Sequence, residues 1–383
     1  MRKIRVNIPN IKGTLRYSEM KKYIPDVYMQ CPCGSGKKYK FCCYGVKDKK
    51  FHNPNEVYMY VVNQGNKKSF CMYENEMCNS EIIKAHSIQN NKILSKLAYS
   101  GHVYTVDFNQ NKIGGLDLKK RGKGEATIAT CFCKYHDVEL FKDIELVNYQ
   151  YEDKQNFLYA YRAFSKYYYD RIVGLEDTRC MFKMAPNMMM AIGLVDRIQG
   201  LEKSVEENET IKATFNSALD SGRYDEIQTI TLTLSYEVGF ATAYMSPLSF
   251  DLEGKQISNV WSLTERMKNI YVSIFPENGK TYILISWLKQ DSCIELDRFR
   301  DQFYNLRNDS EALLRTLNNM VACQTDNIVF SKKLLDKWGE GKKNLFLIQL
   351  GSIFYNINGE NVGLLIEKNL KRYKCEFDLF EKL

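Results

Sequence analysis

A chain of 383 residues is long enough for two or three domains and far too long for one small zinc module. With 44% hydrophobic and 26% charged residues it has an ordinary globular balance, which argues against global disorder and against a collagen-like or coiled-coil chain. The net charge of +8 is unevenly placed: residues 1–50 carry 13 Lys+Arg against 3 Asp+Glu, or +10, which leaves −2 for the rest. Such a segment either attracts phosphate backbones and other polyanions in a salt-sensitive way or merely solubilises a small module. No window approaches the roughly 18 uninterrupted apolar residues of a spanning helix, and residues 1–10 lack a signal-peptide core. The expectation is a soluble, cytoplasmic protein with no membrane contact. Eight of the twelve cysteines fall before residue 134, in tight pairs associated with His, which favours metal ligation over disulfides.

The first element in chain order is the run Cys31-Pro-Cys33-Gly-Ser-Gly-Lys-Lys-Tyr-Lys-Phe-Cys42-Cys43. If the chain folds back once through Gly34, Ser35 and Gly36, four thiolates converge, and soft sulfur ligands suit a closed tetrahedral zinc site at Cys31, Cys33, Cys42 and Cys43. These residues closely resemble the SEC-C motif, the zinc-binding tail of the protein-export ATPase SecA. That resemblance implies interaction with protein or ribosomal partners and no chemistry of its own.

After residue 50 the run from Val57 to Val62 reads as a β-strand. Cys71 and Cys78 follow, then Ile82-Ile-Lys-Ala-His86, a helix expected over residues 91–99, and Cys131-Phe-Cys133-Lys-Tyr-His136-Asp137 opening a further helix. The layout matches a treble-clef, ββα-metal arrangement. A zinc ion on Cys71, Cys78, Cys133 and His136 would staple a fold with few apolar positions. Cys131 is spare or an alternative ligand, because two residues along a strand point to one side. His86 stays open to two other roles: a packed core histidine, or a ligand replacing Cys78.

The segments around His86 and His136 resemble the HNH endonuclease family over residues 70–145. By that resemblance His86 is the general base that activates water against a phosphodiester, and Asp137 holds Mg²⁺ or Mn²⁺ at the start of the last helix. A neutral imidazole and a hard carboxylate oxygen suit those tasks. The family also implies a central Asn, for which Asn109, Asn111 or a side chain near Gly114 are candidates. This sequence departs from the family in its long Cys71 to Cys78 interval, in Asp137 where His or Asn is usual, and in having no further His on the helix. Lys119, Lys120, Arg121 and Lys123 read as a flexible basic loop suited to phosphate contacts.

From residue 152 to 225 helical periodicity dominates, and Tyr167-Tyr-Tyr169 and Met188-Met-Met190 read as core or interface packing. Arg171 and Arg179 lie near those tyrosines. From residue 228 antiparallel strands are expected at 229–236, 240–244, 269–275 and 281–287, then helices at 296–305, 310–321 and 331–338. Cys180, Cys293, Cys323 and Cys375 are isolated thiols, and no Gly-rich phosphate loop or Ser/His/Asp order appears in this half.

The expected fold class is therefore multidomain α+β. Residues 1–50 form a basic SEC-C-like zinc module, 51–150 an HNH-like treble-clef module, 151–225 a helical region and 226–383 an α+β accessory domain. The resemblance implies two structural Zn²⁺ ions, Mg²⁺ or Mn²⁺ for catalysis, and a nucleic-acid substrate, DNA in preference to RNA. The architecture is analogous to a bacterial phage-defence effector. The alternative is a non-catalytic zinc adaptor that binds nucleic acid, ribosome or protein partners.

Overall fold

The computed structural model describes residues 25–65, 68–78, 81–109, 115–260, 262, 264–354, 356–357 and 360–383. Much of the basic N-terminal segment, together with Asn111 and Gly114, lies outside the described residues. The chain divides into two compact units, each assembled from separated stretches: residues 1–68 with 168–211, and residues 69–167 with 212–383. Among the described residues no helix is long and apolar enough to cross a membrane.

The first unit overturns one expectation. The run from Val57 to Val62 is not a strand but part of a helix, Pro54–Gln64. Its start is capped by side chains: Asn53 accepts from the Glu56 backbone N–H at 3.0 Å, and the Glu56 carboxylate accepts from the His52 N–H at 2.9 Å and from the Asn53 amide at 3.2 Å. Pro54 supplies the first helical position, where its missing N–H costs nothing. Only Val57 and Val61, four residues apart, are buried, so the apolar period is helical and the β propensity of the run is overridden. They pack with Tyr39, Phe182, Met189 and Ile198 in one core that also takes in Cys31 and Cys43.

In the second unit nine strands matter: β1 (Ile82–His86), β2 (His102–Phe108), β3 (Leu116–Gly122), β4 (Ile128–Cys133), β5 (Ile227–Leu234), β6 (Phe240–Pro247), β7 (Asn269–Glu277), β8 (Lys280–Leu288) and β9 (Ile328–Phe330). Seven of them form one antiparallel sheet in the order β3-β2-β9-β6-β7-β8-β5. The sheet draws strands from both sides of residue 150, because β2 pairs with β9 through Tyr104 opposite Phe330. All of β7 is buried, which requires cover on both faces. Ile270, Val272 and Ile274 share a core with Leu296, Phe299, Leu317 and Trp338 of the later helices. The alternate residues meet an aromatic layer: Tyr271 lies 5.3 Å from Phe215, and Phe275 stacks on Tyr159 at 4.6 Å. The class is mixed α+β with antiparallel sheets.

The remaining pair, β1 and β4, stands apart as a two-stranded sheet that runs directly into the helix Lys134–Glu145. Phe132 of β4 packs edge-on to Phe141 at 5.2 Å, and both rings contact Tyr161 on the helix that begins at Asp153. Gln89 donates to the carbonyls of Ile144 and Glu145, satisfying the last turn of the helix. The expected helix over 91–99 shrinks to a π-turn at Asn90–Leu94 and one short turn, Ser95–Leu97.

Candidate metal centres

The sequence of the first unit builds a sulfur cage by local means. Gly34 and Gly36 adopt φ of 74° and 73°, which permits the reversal between the cysteine pairs. The Cys31 N–H donates to the Lys37 carbonyl at 2.8 Å and closes the loop. The Sγ atoms of Cys31, Cys33, Cys42 and Cys43 then lie within 4.8 Å of one another, with Cys33 and Cys42 3.5 Å apart. Bonds of about 2.3 Å from a tetrahedral zinc to sulfur imply edges near 3.8 Å. Burial pushes the Cys31 thiol up to about 11 and Cys43 well above its ordinary value. Burial also raises Cys33, but hydrogen bonds with Ser35, Cys31 and Cys42 outweigh it and hold that thiol at about 7. Arg179 packs against Gly34 and pairs with Glu202 at 2.8 Å, so it is engaged inside this unit.

The second centre depends on tertiary pairing. Phe70 N–H and Met72 N–H donate to the carbonyls of Thr130 and Cys131, which lays Cys71 alongside β4. A turn at Asn75 returns the chain to Cys78, and Cys133 is the N-cap of the helix that carries His136. The ligand atoms of Cys71, Cys78, Cys133 and His136 lie within 4.8 Å of one another. His136 Nδ1 sits 3.2 Å from Cys71 Sγ and 3.3 Å from Cys133 Sγ. The ring is 2% exposed and flanked edge-on by Tyr73 and Tyr135. Burial pushes the Cys71 thiol up to about 12. Both groups can hold a metal ion, and their soft donor sets are compatible with zinc.

Cys131 is buried but outside this group, because two residues of strand separate it from Cys133 by roughly 6.6 Å. His86 is likewise not among the four, and Cys78 is. His86 ends β1 opposite Ile128, at the far end of the strand pair from Cys133, which sits opposite Ile82.

A buried polar cluster accompanies the second centre. Burial lowers the His86 imidazole below its ordinary value; backbone hydrogen bonds at Lys123 and Gly124 and the charge of Glu145 pull it up, and Arg162 pushes it down. Burial raises the Asp137 carboxyl, with Arg162 lowering it and Glu145 raising it. The same two charges thus act on both residues. Arg162 is 5% exposed, donates from Nη2 to Glu145 Oε1 at 2.6 Å, and lies 4.0 Å over the Phe141 ring. His86 Nε2, Asp137 Oδ1, and Arg162 Nε and Nη1 are buried with no hydrogen-bond partner among the described residues. Sequence reasoning missed Arg162, though one signal was present: it is the lone cation in the apolar and aromatic run from Phe157 to Phe164, which the structure buries completely.

The basic segment before the second knuckle is not a flexible loop. Lys119, Lys120 and Arg121 belong to β3, and Lys123 to a short 3-10 turn. Strand pairing opposes them to β2, where Asp107 accepts from Arg121 at 2.9 Å and pairs with Lys119 at 3.2 Å. Lys123 donates to Ser95 Oγ at 2.6 Å. Lys120 is exposed opposite Tyr104. Comparison of the chain with protein-family models, curated proteins and solved structures finds no match.

Proposed function

We propose that this chain is a zinc-stabilised, HNH-like endonuclease that hydrolyses nucleic-acid phosphodiester bonds, DNA in preference to RNA. One observation carries the reading. An imidazole nitrogen, a carboxylate oxygen and two guanidinium nitrogens without partners share a low-dielectric neighbourhood beside a strand pair and helix of ββα form. Leaving a buried polar atom unpaired costs about 1–3 kcal/mol, and a bound water, ion or substrate group in this neighbourhood would offset that cost. His86, held neutral by burial, takes the proton of the attacking water at Nε2 while the water oxygen bonds phosphorus and the ester P–O bond breaks. Asp137 is the carboxylate that would hold Mg²⁺ or Mn²⁺, which when bound supplies charge neutralisation at the leaving oxygen. Zn²⁺ at each of the two Cys/His groups holds the scaffold, and the SEC-C-like module docks a protein or ribosomal partner.

The shielding of His86 Nε2 and Asp137 Oδ1 from solvent favours a second reading, a zinc adaptor that binds without cleaving. Plasmid nicking with added Mg²⁺ or Mn²⁺ separates the two. Activity that disappears in His86→Ala while zinc content and thermal unfolding are unchanged supports the enzyme. Salt-sensitive binding without nicking, indifferent to that substitution, supports the adaptor.

A further inference from the structure

A cleft of about 950 Å³ in the second unit, separate from the metal centres, is lined by Lys96, Tyr99, Tyr236, Lys332, Lys333 and Lys382 and by the acidic residues Glu237 and Asp336. Lys96 pairs with Glu237 and Lys332 with Asp336. Lys333 and Lys382 are exposed and have no carboxylate partner among the described residues; the Lys382 ammonium instead lies 4.9 Å over the Tyr236 ring. Lys333 and Lys382 are thus the two lining cations that neither Glu237 nor Asp336 neutralises among the described residues.

The aromatic partner is presented rigidly. Tyr99 and His102 exchange backbone hydrogen bonds of 2.9 and 3.1 Å around Ser100 and Gly101, whose φ values of 49° and 73° make a two-residue turn of the primed type. His102 Nδ1 lies 2.7 Å from the Ser100 carbonyl and braces the turn. Tyr99 is nevertheless 63% exposed, with the Lys332 ammonium 5.8 Å from its ring centre. A large aromatic left in water on a stiff turn loses little entropy when something stacks on it.

We infer that this cleft binds a single-stranded nucleic-acid segment, with Lys333 and Lys382 on its phosphates and Tyr99 stacked on a base. Cations interleaved with aromatic rings recognise a single strand because charge tracks the backbone while every base offers a π-face. A duplex hides those faces inside its own stack. An acidic peptide would use the lysines but leave Tyr99 idle. The inference stands apart from cleavage, since it requires binding alone.

Fluorescence anisotropy of the full, zinc-loaded chain with a labelled oligothymidylate, without Mg²⁺ or Mn²⁺, tests it independently of any nuclease activity. Tyr99→Ala is expected to weaken binding about ten-fold or more. Lys333→Glu combined with Lys382→Glu is expected to weaken it at least as much and to reduce the salt slope by about 1.4 for the two lost cations. Lys255→Glu, an exposed lysine outside the cleft, should change affinity less than about two-fold. Absence of oligonucleotide binding, binding indifferent to the cleft variants, or equally tight binding of polyglutamate lost in the same lysine variants would each overturn the inference.

Discussion

Cys71 Sγ lies 3.2 Å from His136 Nδ1 although 65 residues separate them, because the Cys71 segment hydrogen-bonds along β4 and β4 leads straight into the helix bearing His136. The same pairing brings Cys71 beside Cys133, whose backbone N–H donates to the Cys71 sulfur at 3.5 Å. One registration of chain on strand thereby assembles three of the four donors. A slip of a single residue along β4 would turn the Cys71 side chain to the opposite face and break the hydrogen bonds made by Phe70 and Met72.

The protein as purified from zinc-containing medium should hold two zinc ions per chain, one for each donor group. Cys133→Ser is expected to remove one of them and to destabilise the second unit by about 4 kcal/mol or more, since a lost structural metal is among the most costly single changes. Metal analysis and thermal unfolding of the variant check both numbers; two ions retained in Cys133→Ser would dismiss this centre.

Thiols raised to about 11 at Cys31 and about 12 at Cys71 bind protons at neutral pH, and a metal must displace those protons. Apparent zinc affinity of the metal-free chain should therefore climb with pH throughout the range below about pH 11, with proton release on loading. Titration against a chelator of known affinity at several pH values measures the slope, and a flat profile contradicts it.

Glu367 accepts from Ser249 at 2.9 Å, and burial raises its carboxyl from 4.5 to about 7. The folded chain thus holds a proton there that the unfolded chain has already released. Its stabilising effect is complete below pH 4.5 and is lost as pH rises to about 7, by at most about 3 kcal/mol. Glu367→Gln should flatten that limb and raise the unfolding temperature at about pH 8, as followed by circular dichroism.

Arg162→Ala leaves the Glu145 carboxylate without the guanidinium 2.6 Å away and strips cover from the Phe141 ring. A loss of about 2–4 kcal/mol is expected in denaturant unfolding. A cost under about 0.5 kcal/mol would show that the pair contributes no more than an exposed ion pair.

Asn53→Ala removes the acceptor for the Glu56 N–H and should cost the first unit about 1 kcal/mol. Asn53→Ser, which keeps a capping oxygen, should restore most of it.

Local chemistry decided much of this protein in advance. The reversal of Cys31 to Cys43, strands β5 to β8 of the large sheet, and the long helices follow from turn glycines and from apolar period, and each needs only neighbours in sequence. The cysteines and His136 named two donor sets because clustered soft ligands have few other uses, even though the Cys71 to Cys78 interval is longer than a knuckle's. Tertiary structure decided the rest. The run from Val57 to Val62 became helical through a cap and a core contact that outweigh β-branched propensity. The basic residues from Lys119 to Arg121 became a strand because β2 offers backbone partners and Asp107 offers a counter-charge. Arg162 entered the His86 neighbourhood only when the helix from Asp153 packed on Phe132 and Phe141, and the cleft arose from segments as distant in sequence as the Tyr99 turn and Lys382. Long-range pairing energies depend on which surfaces meet, and no local pattern of residues encodes that meeting by itself.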